Sequence, residues 1–149
     1  MPEFSITRTI EAPLSAVWAE LADFGNIYVW NPGVTESHLT SDLENGVGAT
    51  RHCSLKPAGS IQERITEWEP HARLKINIYE FARLPMKDAH ADFRLEDLGD
   101  GTTKVDMHYS YELTLLGKLM PRKVMESQLV RGLGGLLKGL DQHVVAKTG

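Results

Sequence analysis

Seven strand signals followed by one long helical stripe make this chain an α+β protein. The expected form is a curved, antiparallel, seven-stranded sheet closed by a C-terminal helix. Two short helical signals lie between the first strand and the second. Tight turns join most of the later strands, which sets neighbours antiparallel.

Phe4–Ile10 alternates apolar and polar residues and is rich in strand formers. Glu11-Ala12-Pro13 interrupts it, and Pro13 suits the first turn of a helix. Val17, Trp18 and Leu21 then recur at helical spacing, which predicts a helix over 14–22. A second helical turn is expected around Asn26–Trp30, closed by Asn31-Pro32-Gly33. Strands follow at Val34–Thr40, Gly48–Leu55, Ser60–Trp68, Arg73–Phe81, Asp88–Leu98 and Thr102–Leu113. Asn45-Gly46, Pro57-Ala58-Gly59, Glu69-Pro70-His71 and Leu84-Pro85-Met86 mark turns between them.

The last hairpin turns at Gly99-Asp100-Gly101. One register sets Phe93 opposite Met107, Leu95 opposite Val105 and Ala91 opposite Tyr109. On the other face it sets Arg94 opposite Asp106, Glu96 opposite Lys104 and Asp92 opposite His108. A slip of one residue would spoil both faces. His90 and His108 then belong to a solvated outer face rather than to a metal site.

Lys118–Ala146 reads as one long helix, with Leu129, Leu133, Leu136, Leu140 and Val144 at three- and four-residue steps. Gly132, Gly134, Gly135 and Gly139 lie within it. Interior glycines cost about 1 kcal/mol each relative to alanine. Either close packing or room for a ligand must offset them.

The 149 residues suit one domain spanning 1–149. Hydrophobic residues at 42% and charged residues at 24% match a globular chain and exclude disorder. A net charge of −4 argues against sequence-independent nucleic-acid binding. Cys53 is the single cysteine, so neither an intrachain disulfide nor a cysteine zinc cluster is expected. Met1-Pro2-Glu3-Phe4 lacks the features of a signal peptide, and no stretch approaches the roughly 20 apolar residues of a membrane span. A cytoplasmic location is the expectation. No dinucleotide fingerprint, serine nucleophile motif or metal histidine pair appears, so no cofactor is expected. Glu44-Asn45-Gly46-Val47-Gly48 lacks the Gly-Lys-Ser/Thr ending of a phosphate loop and reads as a hairpin turn. The oligomeric state is not encoded in any of these patterns.

One helix cannot fill the concave side of such a sheet, so an internal pocket is expected. The opening "FSITRTIEAPLSAVWAELADFGNIYVWNPGV" resembles the START-like, Bet v 1-like superfamily. The matching pieces are Ile10-Glu11-Ala12-Pro13, Val17-Trp18 and Trp30-Asn31-Pro32. Val47–Arg51 and Glu63–Pro70 resemble its third and fourth strands. Within the superfamily the chain looks most like the polyketide cyclase/dehydrase and lipid-transport branch. The resemblance implies a helix-grip fold around an apolar cavity. Members bind lipids, hormones or polyketides, and a minority catalyse cyclisation. Aromatic polyketide cyclases place aromatic and arginine residues on the fourth strand that are not recognisable here.

Glu63 sits between Ile61 and Ile65 on one strand face, and the matching glutamate of related hormone receptors faces the cavity. The resemblance makes it a hydrogen-bonding anchor or a general acid/base. Carboxylates in such places titrate high unless paired, and an ion pair with Arg51 on the next strand is the structural alternative. Arg51, Cys53 and Leu55 share a face that the resemblance turns inward, with Cys53 a small lining group. His52 points the other way, against a Cys53–His52 dyad. Met107, Tyr109 and Tyr111 are expected inward on the last strand, opposite the small Ala89 and Ala91. Met120 and Met125 near the helix start suit an adaptable apolar wall. For Arg73–Phe81, alternation turns Leu74, Ile76 and Ile78 inward, whereas the resemblance turns Asn77 and Tyr79 inward; a bulge would reconcile them. Trp18 is expected in the core, and Trp30 under the long helix or at the cavity mouth. Lys56–Gly59 and Ala82–Lys87 are the expected mouth loops.

The ligand-binding set is therefore Arg51, Cys53, Glu63, Tyr79, Met107, Tyr109, Met125 and Leu129, for a small, mostly apolar molecule. The alternative is a cyclase or dehydratase using Glu63 as acid/base with a tyrosine donor. A partner-dependent role, as in chaperone-cofactor relatives, is a third reading.

Overall fold

In the computed structural model, which describes residues 1–148, seven strands form one antiparallel sheet. The strands are β1 (Glu3–Ile10), β2 (Val34–Leu39), β3 (Thr50–Leu55), β4 (Ser60–Glu69), β5 (Arg73–Ala82), β6 (Met86–Gly99) and β7 (Thr102–Leu113). Their spatial order is β1-β7-β6-β5-β4-β3-β2. The first strand therefore pairs with the last, and the others follow as successive hairpins. Helix α1 (Leu14–Ala22) and a 3-10 turn over Phe24–Val29 connect β1 to β2, and helix α2 (Arg122–Thr148) follows β7.

The final hairpin has the expected register: Phe93 faces Met107, Leu95 faces Val105 and Ala91 faces Tyr109. The charged side chains choose other partners. Asp92 accepts two hydrogen bonds from Arg73 on β5, and Asp106 accepts one from Thr7 on β1. A strand inside a sheet has neighbours on both sides, and hairpin pairing accounts for only one of them. His90 lies beside Asp88 and His108 beside Ser5, both on the outer face.

The start of the long helix differs from expectation. A 3-10 turn covers Gly117–Leu119, Met120 is extended, and α2 begins only at Arg122. Pro121 is the reason. Its ring drives Met120 out of the helical region, and its carbonyl accepts from Val124 and Met125 to open the new helix.

Helix α2 spans about 40 Å and is held at its C-terminal half. Leu136, Leu137, Leu140 and Val144 are buried there. Arg8 donates to Asp141 at 2.6 Å, and Lys147 donates to Glu20 at 2.7 Å, tying α2 to β1 and α1. Trp18 is buried in the core at this end, its ring 4.9 Å from that of Trp68. The N-terminal half presents Met125, Leu129 and Leu133 to the space above the sheet.

Candidate ligand cavity

Between that half of α2 and the sheet lies a cavity of about 560 Å³. This lies within the range of small-molecule sites, roughly 300–1,000 Å³. Alternation on each strand sets its wall. Leu74, Ile76 and Ile78 come from β5, Ala91 and Phe93 from β6, and Met107 and Tyr109 from β7. Small residues opposite large ones leave the volume open, as at Ala91, which pairs with Ile76 on one side and Tyr109 on the other.

A buried ion pair interrupts this apolar surface, and Asn31, Lys56 and Gln128 are further polar side chains of the lining. Arg51 and Glu63 are directly opposite in the β3–β4 ladder, and both are buried. Arg51 Nε donates to Glu63 Oε1 at 2.8 Å. Its Nη1 donates to the Phe24 carbonyl at 2.9 Å, and its guanidinium lies 3.8 Å over the Phe24 ring. Cys53 Sγ also reaches Glu63 Oε1, at 3.4 Å. Both contacts to the carboxylate fall on the same oxygen, so the second oxygen takes neither. The expected anchor and the expected ion pair thus coexist at one residue, with Glu63 lining the cavity while bound to Arg51.

Of the expected ligand-binding residues, Arg51, Glu63, Met107, Tyr109, Met125 and Leu129 line the cavity. Cys53 stands behind Glu63, fully buried and outside the lining. Burial, with the Glu63 charge beside it, pushes its thiol well above the ordinary range. It is an inert packing group.

Tyr79 does not face the cavity. Glu63 pairs with Ile78 and Gln62 with Glu80, so Tyr79 is the extra residue of a bulge. Its ring carries the Arg64 guanidinium at 4.2 Å on the outer side. The bulge shifts the phase of β5, so Ile78 points inward before it and Phe81 after it. Asn77 is buried on the outer side, where it bridges Arg64, Asp88 and the Ala89 carbonyl. Period-two reading therefore holds up to the bulge, and Phe81 is the wall residue it missed.

Tyr109 stacks against Phe4 and Tyr111, with ring centroids 5.6 and 6.0 Å away. Its hydroxyl has only a long contact to Met86 Sδ at 4.0 Å. Burial, then the nearby Glu63 charge, hold its pKa far above the phenol range. It is a neutral donor at any physiological pH. Tyr111 is buried in the core beyond the cavity. Trp30 lines the cavity, and its buried Nε1 has no hydrogen-bond partner among the described residues. Lys56, Pro57, Leu84, Pro85, Met86 and Met120 also line the cavity, placing both expected mouth loops at it. Among the described residues no cluster of three histidine, cysteine or acidic side chains is placed to hold a metal.

A family model described as polyketide cyclase/dehydrase and lipid transport matches residues 1–145. The chain belongs to that family. A search of curated proteins finds no match. Among solved structures, the Zhui aromatase/cyclase from Streptomyces sp. R1128 is 16% identical with a TM-score of 0.83, covering 99% of this chain and 96% of that one. TTHA0849 from Thermus thermophilus is 21% identical with a TM-score of 0.83, covering 99% and 100%. A START superfamily protein from Mycobacterium smegmatis is 14% identical with a TM-score of 0.83, covering 97% of each chain. At these identities the likeness shows the fold alone. This member of the cyclase/dehydrase and lipid-transport family has the helix-grip arrangement of the START/Bet v 1 superfamily.

Proposed function

We propose that the chain binds a small, mostly apolar and uncharged molecule in the cavity under α2. The observation that carries this reading is a mostly apolar wall whose buried charges, Arg51 and Glu63, neutralise each other. Arg51 already holds a carboxylate at 2.8 Å, so an anionic ligand could reach the buried cation only by displacing Glu63, and the other lining cation, Lys56, is exposed on a mouth loop. A neutral ligand needs no such exchange. The second Glu63 oxygen offers it an acceptor, and the Tyr109 hydroxyl and Trp30 Nε1 offer donors. Hydrogen bonds inside an apolar site orient a ligand, while the wall supplies most of the affinity.

A second reading assigns Glu63 an acid/base role in a cyclase-type reaction, and rests on Glu63 and Tyr109 lining the same cavity. Native mass spectrometry of the chain purified from its own host tests the first. Binding predicts a co-purifying organic molecule that carries no carboxylate. Protein at its bare sequence mass, with no retained molecule, contradicts it. If a substrate is found, Glu63→Gln separates the two readings. A binder loses part of its affinity, whereas an enzyme loses turnover and still binds.

A further inference from the structure

The segment between β7 and α2 exposes apolar side chains that nothing in the fold covers. Leu115 is 83% exposed, and Leu116 and Leu119 are each 80% exposed. These are the largest exposures of any large hydrophobic residue in the described chain, and Val124 on the first turn of α2 adds to them at 44%. Leucines this exposed and this close together are costly in water and mark a surface that meets a membrane or another protein.

The segment is held in that pose. Thr114 N and Oγ1 both donate to the Pro85 carbonyl, and Gly117 N donates to Thr114 Oγ1. A Cβ on Gly117 would collide with the Pro85 carbonyl and crowd Leu113, so only glycine lets the turn sit this close. Leu84, Pro85, Met86 and Met120 beside it line the cavity. The exposed leucines therefore project from the rim of the cavity mouth.

Charge identifies what they face. From Leu113 to Met125 the chain carries Lys118, Arg122 and Lys123 and no acidic residue, although the whole chain has a net charge of −4. Lys118, Arg122 and Lys123 are all exposed, as are Arg83 and Lys87 on the adjoining loop and strand. The acidic groups nearest in sequence are Glu112, which pairs with Lys87 at 3.2 Å, and Glu126. Exposed leucines ringed by cations form the two-part signal of a protein that rests on an anionic bilayer. The apolar groups enter the acyl boundary and the cations meet the headgroups.

We infer that the Leu115–Val124 rim docks on an anionic membrane surface, with the cavity mouth turned to the lipid. An apolar ligand then passes between bilayer and cavity without crossing water. No helix among the described residues is long and apolar enough to cross a membrane, so the attachment is peripheral.

Vesicle flotation of the full chain tests this, with vesicles of phosphatidylcholine alone and of phosphatidylcholine mixed with phosphatidylglycerol. The wild type is expected to float with the mixed vesicles and to be released by high salt. Leu115→Ser, Leu116→Ser and Leu119→Ser combined should cut flotation by about tenfold, and Lys118→Glu with Lys123→Glu should do the same. These positions are exposed, so the melting temperature should stay within a degree or two. Wild type that ignores both vesicle types overturns the inference, as does a leucine variant that floats unchanged. A wild-type dimer that the leucine variant returns to monomer also overturns it, because the patch then belongs to a second copy. None of these outcomes bears on whether the cavity binds a ligand.

Discussion

Burying a guanidinium and a carboxylate together costs solvation that their attraction only partly offsets, whereas removing one partner strands a charge. Arg51 and Glu63 are in that position, with side chains 5% and 9% exposed. Glu63→Gln should therefore lower stability by about 3 kcal/mol or more, and chemical denaturation measures it. Replacing both, as Arg51→Met with Glu63→Leu, should recover most of that loss. A double variant as unstable as the single one would show that the pair holds the fold rather than furnishing the cavity. Alternation put Glu63 on one face with Ile61 and Ile65, and the family resemblance turned that face, and the face of Arg51 on the next strand, inward. The grip of Arg51 on the Phe24 carbonyl was not legible, because it joins segments 27 residues apart. Burial alone would raise the Asp92 carboxyl, but hydrogen bonds and charge from Arg73 outweigh it and hold it below its ordinary 3.8. A depressed folded pKa contributes stability that is present above the unfolded value and lost as pH falls through the folded one. The melting-temperature gap between wild type and Asp92→Asn should therefore be open at neutral pH. It should close below about pH 4, as the carboxylate is protonated.

The glycines of α2 divide between the two reasons offered for them. A Cβ on Gly139 would strike the Trp30 carbonyl and the Pro32 ring, so the helix lies directly on that segment. Gly132 lines the cavity with open space above it, and Gly134 and Gly135 meet nothing within 4 Å. Gly134→Ala should then stabilise the chain by about 0.5–1 kcal/mol, through helix propensity alone. Gly139→Ala should destabilise it despite the same gain, and thermal melts of the two variants check the opposite signs. Most elements were readable because their apolar spacing is regular and their turns carry Gly, Pro or Asn. The exceptions have local causes. Pro121 delays α2 by four residues, from the expected Lys118 to Arg122. The bulge at Tyr79 exchanges that residue for Phe81 in the wall. A bulge adds one residue to one strand only, and a single sequence does not reveal which partner absorbs it.

Taken whole, the molecule is anchored at one end and hollow at the other. Leu136, Leu140 and Val144, with the Arg8–Asp141 and Glu20–Lys147 links, fix the C-terminal half of α2. Met125, Leu129 and Leu133 roof the space left over the sheet. The sequence stripe runs evenly through both halves, so it marked the inward face without showing where packing stops. The cavity itself was an expectation from shape, because volume depends on how far the helix stands off the sheet. Trp30 is the one tryptophan of Trp18, Trp30 and Trp68 that lines this space, which makes its fluorescence a local reporter. The most direct measurement is a titration with an uncharged apolar fluorescent probe, comparing wild type with Ala91→Phe. The probe should bind the wild type one to one and quench Trp30. The added ring should weaken binding by about tenfold or more and leave the melting temperature equal or higher. A wild type that takes up no probe would contradict the open interior, and so would an Ala91→Phe variant whose core is strained and whose melting temperature collapses.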